Sequence, residues 1–477
     1  MASNDADRRV RAALYRGMIE VLRTKVAPEL SGAAARDAVE SIERLLTIEI
    51  VADEQGDNLW REFGPELSRL AGKPFRESGG YAALGALRQD LAQRLRAGAE
   101  ASGDLIDLEW RLQRAFADHR NRLSSADAEH PAPAPTTTPQ AVQSYLRRRL
   151  ESSPELRVVG LDEMPGGRVK ASYRLTVEQT DDLPPVSLLR LDKPKSLLPT
   201  HTADEWPLLK ALQQWGGVAS PEPYIVERDP GPLGGTFIIM QWVDGEKAGE
   251  IFPEVAAPRT HRQEIALHLA RILARLHTMP VDQAGLAATT PHSIVEATRA
   301  RVQESYERLA GGEPVTEFEF GYRWIMQHLA DGLSPICVVH GDVGLHNLLV
   351  DEGRVTGLLD WELAHLGSPA EDLARMRHLV EFLTPGRWDR FIAEYEAAGG
   401  PKAAFERKRL DFYTVVSAWG GVSASLLCRE LYFTGTLTDF LYANAGVDFV
   451  LRTRLMLMDA LREMLRGEGA SGTGPPP

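Results

Sequence analysis

Val338-Val339-His340-Gly341-Asp342-Val343-Gly344-Leu345-His346-Asn347-Leu348-Leu349-Val350, then Val355-Thr356-Gly357-Leu358-Leu359-Asp360-Trp361-Glu362, is the stretch from which the fold of this chain can be read. An apolar run of strand character ends in a loop that carries a histidine, an aspartate and, five residues after that aspartate, an asparagine. Two short β-like segments, 348–350 and 355–359, then form a hairpin that delivers a second aspartate, Asp360, 13 residues beyond Asn347. Polar groups on either side of such a hairpin can converge.

Each group alone has a plain structural use: Asp342 as a turn former, Asn347 as a cap, His340 as a loop brace. Together they meet the needs of phosphoryl transfer. The attacking hydroxyl must be aligned and relieved of its proton, which suits the Asp342 carboxylate, while Mg2+ bridging nucleotide phosphates takes hard oxygen ligands such as the Asn347 amide and the Asp360 carboxylate. The pattern H-G-D-x-x-x-x-N followed by a metal-type aspartate resembles the signature of the aminoglycoside phosphotransferase-like branch of the protein-kinase-like superfamily. That resemblance implies an α+β, bilobal protein-kinase-like fold, with a small β-rich N-lobe over 140–243, a large helical C-lobe over 244–465, and ATP and Mg2+ as cofactors. It also implies roles: Asp342 catalytic, Asn347 and Asp360 metal ligands, His340 and Asp372 bracing the catalytic loop.

Further pieces fall where the resemblance places them. The strand Val186–Leu191 offers Arg190 where the family holds the nucleotide phosphates, commonly with a lysine, and the following helix offers Glu205 as its partner; Lys193 and Lys195 are alternatives to Arg190. Gly166 and Gly167 occupy the phosphate-covering hairpin, without a G-x-G-x-x-G pattern. The run Phe237–Gly245 resembles the lobe-connecting hinge, in which Met240 packs behind the adenine and backbone groups near Gln241 and Val243 bond its edge. His261, His268 and His277 share one predicted helix, but no H-E-x-x-H pattern accompanies them, so they read as surface or core side chains.

Around these motifs, strand-like runs at 157–161, 169–178, 186–191, 224–227 and 236–243 give way to helical periodicity at 262–277, 292–309, 316–331, 370–382, 402–428 and 447–465. Upstream, the Pro/Thr-rich segment 129–139 can neither pack a core nor hold a helix and reads as a linker. Residues 1–128 repeat apolar positions at helical spacing, as in Leu84, Leu87, Leu91 and Leu95, and predict a separate all-helical accessory domain. Its removal is expected to leave a folded unit, and its surface is the expected contact of a homodimer. The Gly/Ser/Pro-rich end, 466–477, predicts a disordered tail.

A length of 477 residues asks for more than one domain. The net charge of −13 opposes nucleic acid and anionic membranes as partners. No apolar run reaches the roughly 20 residues needed to span a bilayer, and charges interrupt the first residues where a signal peptide would be apolar. Two cysteines, Cys337 and Cys428, fit a reducing compartment, so a cytoplasmic location is expected. The partner expected is a small-molecule hydroxyl substrate. HGDVGLHN and LLDWELAHLGSPAEDLAR resemble the phosphotransferase branch associated with acyl-CoA metabolism, which implies a metabolic acceptor such as a hydroxyacyl-CoA. An aminoglycoside or other antibiotic kinase, and a non-catalytic pseudokinase-like binding protein, are the competing readings.

Overall fold

The structure, a computed structural model, describes residues 15–16, 18–19, 22, 33–76, 80–97, 103–123, 137–164, 170–193, 200–249, 261–309, 315–433 and 445–471. Its contacts divide the chain into two units: one of residues 1–133, 298–329 and 414–477, the other of residues 134–297 and 330–413.

In the first unit, helices α1 (Ala33–Leu70), α2 (Gly80–Arg96) and α3 (Gly103–Leu123) pool the apolar stripes of their helical repeat. Trp60, Phe63, Leu67, Leu84, Leu91, Leu95, Leu108 and Leu112 form one buried core. The unit also contains helix α8 (Thr316–Gln327) and helix α12 (Val450–Ser471), from much later in the sequence. Charged pairs tie them in. Arg96 reaches the buried Glu319 at 2.6 Å, and Arg454 pairs with the buried Glu317 while lying 3.6 Å from Glu109.

The second unit opens with helix α4 (Pro139–Arg149), whose start carries the expected signals: Thr138 accepts the N–H of Ala141 at 3.2 Å, and Pro139 stands in the first turn. Five strands come next: β1 (Arg157–Glu163), β2 (Lys170–Glu178), β3 (Val186–Asp192), β4 (Pro223–Glu227) and β5 (Phe237–Gln241). They make one antiparallel sheet in the order β1-β2-β3-β5-β4. Period-two alternation sends Tyr173, Leu175, Leu189, Leu191, Phe237 and Ile239 into a core shared with Val142, Tyr145 and Leu146 of α4. Arg190, between Leu189 and Leu191, therefore points to the opposite face. Helix α5 (Trp206–Trp215) comes after a 3-10 turn, Thr202–Glu205, so Glu205 sits at the helix entry.

Strand β6 (Glu246–Lys247) then joins β8 (Leu348–Asp351) and β9 (Arg354–Leu358), while β7 (Cys337–Val339) pairs with β10 (His365–Gly367). Helix α6 (Arg262–His277) packs on α10 (Trp388–Ala397), on α9 (Pro369–Leu383) and beside β7 and β9. Two further α-helices, α7 (Pro291–Leu309) and α11 (Arg407–Phe433), lie among the described residues. The mixed composition with an antiparallel sheet is the α+β class expected.

Several boundaries differ from the expectation. The strand expected over 236–243 stops at Gln241, leaving Val243 beyond it. The periodicity over 402–428 resolves into a 3-10 turn, Lys402–Phe405, and then α11, and α10 is an addition to the expected helices. Helix α12 continues to Ser471, so the expected disordered tail is helical over 466–471; an established helix gains one hydrogen bond per added residue, which outlasts weak formers at its end. Residues 472–477, the linker at 129–136 and the glycines Gly166 and Gly167 lie outside the described residues.

Candidate active site

The loop after β7 is built around two special backbone positions. Gly341 has φ of 82°, in the left-handed region, and a Cβ there would stand 2.5 Å from the Leu363 carbonyl oxygen. Asp360 is left-handed too, with φ 68° and ψ 67°, a conformation that Asp tolerates better than most residues and that marks functional turns. The β8–β9 hairpin brings the two segments together: Leu348 pairs with Leu358, and the N–H of Leu359 donates to the Asn347 carbonyl at 2.8 Å. Asn347 and Asp360 thus flank the same open end of the hairpin.

Asp372, near the start of α9 and fully buried, holds the loop from behind. Its carboxylate accepts the backbone N–H of His340 at 2.8 Å, that of Gly341 at 2.9 Å, and His277 Nε2–H at 3.2 Å. Burial pushes this carboxyl up, but the His277 bond and the neighbouring imidazoles outweigh it and keep it below its ordinary value. His277 in turn lies 2.8 Å from the Tyr395 hydroxyl. His340 is wholly buried, donates Nε2–H to the Leu359 carbonyl at 2.9 Å and accepts the N–H of Asp342 on Nδ1 at 3.2 Å. Desolvation pulls its imidazole below the ordinary value, so it stays neutral. His340 and Asp372 both have the geometry of braces.

The Asp342 carboxylate is half-buried and heavily bonded. His346 Nε2 is 3.3 Å from Oδ2, Asn347 Nδ2 donates to Oδ2 at 3.0 Å and to the Asp342 carbonyl at 2.9 Å, and Arg375 donates to Oδ1 at 3.1 Å. Burial raises this carboxyl, but the His346 bond and the Arg375 charge outweigh it and hold it well below the usual carboxylate range. Its negative charge is therefore permanent near neutral pH.

Arg190 crosses from β3 to the same region. Its guanidinium bonds Asp360 directly, Glu205 at 3.3 Å and approaches Glu362 at 3.8 Å. Desolvation would lower its pKa, but the three carboxylates more than reverse that and it stays charged. The carboxylates outnumber it. Burial raises Glu205 to about 7, with the charges of Asp360 and Glu362 adding to the rise, and its Oε1 is buried without a hydrogen-bond partner. Glu362 rises to about 7 through burial and the charge of Asp360. Lys170 on β2, nearly fully buried, brings a second cation: it donates to the Thr200 carbonyl and pairs with Asp192 at 2.9 Å.

This excess of buried oxygen charge fits a divalent cation. Among the described residues no group of three His, Cys, Asp or Glu side chains stands ready to hold a metal alone. Asp360 and Asn347 offer a carboxylate and an amide oxygen, hard donor types that a divalent cation such as Mg2+ takes together with phosphate and water.

Met240 is buried in β5, like Phe237, Ile238 and Ile239 before it. The Gln241 N–H, however, already donates to the Glu222 carbonyl at 2.7 Å, so that group of the hinge is taken by the sheet. Lys195 lies outside the described residues. Lys170, Glu362, His346 and Arg375 join the site although no motif singled them out. Glu362 and His346 stand inside the motif itself, and Arg375, three residues after Asp372, shares its helix face; Lys170 left no local signal.

A five-stranded antiparallel sheet set against an H-G-D loop, an Asn-to-Asp hairpin and a buried arginine define a phosphotransferase of kinase-like fold. Residues 166–413, more than half of the chain, match the model of the phosphotransferase enzyme family APH, and the chain belongs to that family. A solved structure from Ralstonia eutropha, described as an aminoglycoside phosphotransferase, shares the fold: TM-score 0.51 at 19% identity, over 69% of this chain and 99% of that one. Acyl-CoA dehydrogenase family member 11 of Mus musculus is 32% identical over 201 residues, 40% of this chain and 24% of that protein. Aminoglycoside 3'-phosphotransferase of Escherichia coli is 30% identical over 156 residues, 31% of this chain and 53% of that protein. The chain thus spans about a quarter of the acyl-CoA dehydrogenase family relatives it matches. Among the described residues no helix is long and apolar enough to cross a membrane.

Proposed function

We propose that the chain is an ATP- and Mg2+-dependent kinase that phosphorylates a hydroxyl of a small molecule. The observation that carries this reading is the Asp342 carboxylate, held ionised by His346, Asn347 and Arg375 at the end of the hairpin that also presents Asp360. The acceptor oxygen forms its bond to the γ-phosphorus as the bond from that phosphorus to the ADP oxygen breaks, and the hydroxyl proton passes to Asp342. A carboxylate held this low is a weak base. It suffices where the transition state is loose and the hydroxyl loses its proton late, so that alignment matters more than basicity.

Arg190 and Lys170 are assigned to the phosphates, and Glu205 orients Arg190. Asn347 and Asp360 are the oxygen donors for Mg2+, which when bound neutralises phosphate charge. His340 and Asp372 position the loop. Met240 backs the base, with the backbone beyond Gln241, at Val243, left to bond its edge.

The acceptor is assigned to metabolic chemistry, a hydroxyacyl-CoA or related hydroxy compound, on the likeness to a segment of acyl-CoA dehydrogenase family proteins. The Escherichia coli relative supports an antibiotic acceptor instead. A polycationic acceptor would need acidic side chains from the C-terminal helices, and one of these, Asp411, already lies 3.8 Å from Arg377 and 3.5 Å from Arg407. A pseudokinase would be expected to lack one of Asp342, Asn347 and Asp360, and all three are present. ADP release measured over hydroxyacyl-CoAs, free hydroxy acids, aminoglycosides, macrolides and amino alcohols, with Asp342→Ala as the blank, tests the assignment. Release with hydroxyacyl-CoAs alone supports it, release with aminoglycosides alone transfers it to the second reading, and no release from any acceptor leaves a binding protein.

A further inference from the structure

A carboxylate offers about four lone-pair positions to hydrogen-bond donors. At Asp342, three of these are occupied from within the chain: one on Oδ1 by Arg375 and two on Oδ2 by Asn347 and His346. Asn347 is held elsewhere as well, by its second bond to the Asp342 carbonyl. His346 has no such second tie. Its Nδ1 is buried and without a hydrogen-bond partner.

That orphaned nitrogen constrains what His346 can do. A buried N–H with no acceptor costs more than a buried lone pair with no donor, so the proton belongs on Nε2, where it donates to Asp342. A proton relay needs its second nitrogen open to solvent or to another polar group, and Nδ1 is closed off from solvent and without a partner. Gly344 leaves the ring room for this pose: a Cβ there would stand 2.5 Å from His346 Cε1 and 2.7 Å from Nδ1. Gly344 itself is extended, with φ −162°, a conformation any residue adopts, so room for the imidazole is the reason for glycine at this position.

We propose that His346 is a positioning residue: its Nε2–H, with Arg375 and Asn347, locks the Asp342 carboxylate so that a single acceptor position, on Oδ1, remains for the incoming hydroxyl. The inference rests on the phosphotransfer reading above. It assigns the Gly344–His346 pair to turnover and not to nucleotide binding.

The test uses the full chain with Mg·ATP, water serving as acceptor, and ADP release as the readout. His346→Ala should lower kcat about tenfold and leave KM for Mg·ATP within about twofold, since only alignment in the transition state is lost. His346→Gln, which can still donate, should recover much of that loss. Gly344→Ala, which displaces the ring without removing it or straining the backbone, should lower kcat similarly, and the double variant Gly344→Ala/His346→Ala should be no slower than His346→Ala alone. Unchanged kcat in His346→Ala, a rise in KM with kcat intact, or a full additional loss from Gly344→Ala in the absence of the imidazole overturns the assignment. If the wild-type chain releases no ADP with water, the same comparison is made with the acceptor that the panel above selects; no release from any of them fails the phosphotransfer reading itself, and the imidazole still decides this inference: 15N-histidine spectra of the intact protein should show the Nε2–H tautomer for His346, and the Nδ1–H tautomer overturns the lock.

Discussion

Asp372 accepts the backbone N–H of His340 at 2.8 Å, a bond from a helix start to a loop 32 residues earlier in the chain, made where neither group meets water. It fixes the direction in which the H-G-D segment leaves β7. A second oxygen of the same carboxylate takes the N–H of Gly341, so one side chain sets two consecutive peptide planes.

Asp372→Ala should therefore destabilise the protein by about 3–5 kcal/mol, because it leaves the buried N–H of His340, the part-buried N–H of Gly341 and the buried His277 without their acceptor. Asp372 sits below its ordinary pKa, so its contribution is complete above the unfolded value near 4 and is lost as acid protonates it. Urea unfolding of both proteins at pH 7 and at pH 3.5 checks this: the gap between them should shrink in acid.

Glu205 and Glu362 behave in the opposite sense. Each is raised to about 7, so each favours folding while protonated, and that contribution is lost as pH rises from about 4.5 through 7. Nucleotide-free protein should lose stability across this window, and Glu205→Gln should flatten the dependence. Midpoints of urea unfolding that rise with pH over the window would contradict the assignment.

Asp342→Asn should cut turnover by about 100-fold or more and leave Mg·ATP affinity within a few-fold, because the amide cannot accept the proton or carry the charge. Asp360→Ala should abolish Mg2+-dependent turnover and free Arg190 from one of its three carboxylates. Steady-state kinetics with nucleotide binding measured separately distinguishes the two. Full activity in either variant contradicts the proposed roles.

Removal of residues 1–128 should not leave a well-folded remainder, contrary to the expectation from the linker alone. It takes away Arg96, the partner of the buried Glu319, and Arg88 and Glu109, which bond each other at 2.6 Å beside Arg454. A buried carboxylate without its cation, Glu319, and an opened apolar core predict insoluble or partly unfolded product. Expression of the truncated chain, followed by circular dichroism and thermal melting, is the measurement.

The sequence by itself determined which groups meet at the hairpin: His340, Gly341, Asp342, Asn347 and Asp360 are local, spaced by a loop and one hairpin, and short-range backbone geometry is enough to bring them together. It also determined the sheet strands and most helices, because period-two and helical alternation are written residue by residue. Only the tertiary structure decided which groups complete the site. Lys170 lies on a strand far from the loop, and Arg375 reaches Asp342 from α9, through packing that no local pattern records. The same holds for the division of the chain. A proline-rich run reads as a border between the helices on its N-terminal side and the rest of the chain. Yet α8 and α12 share a unit with the first helices, because apolar stripes and buried charges pair by proximity in space and not by order along the chain.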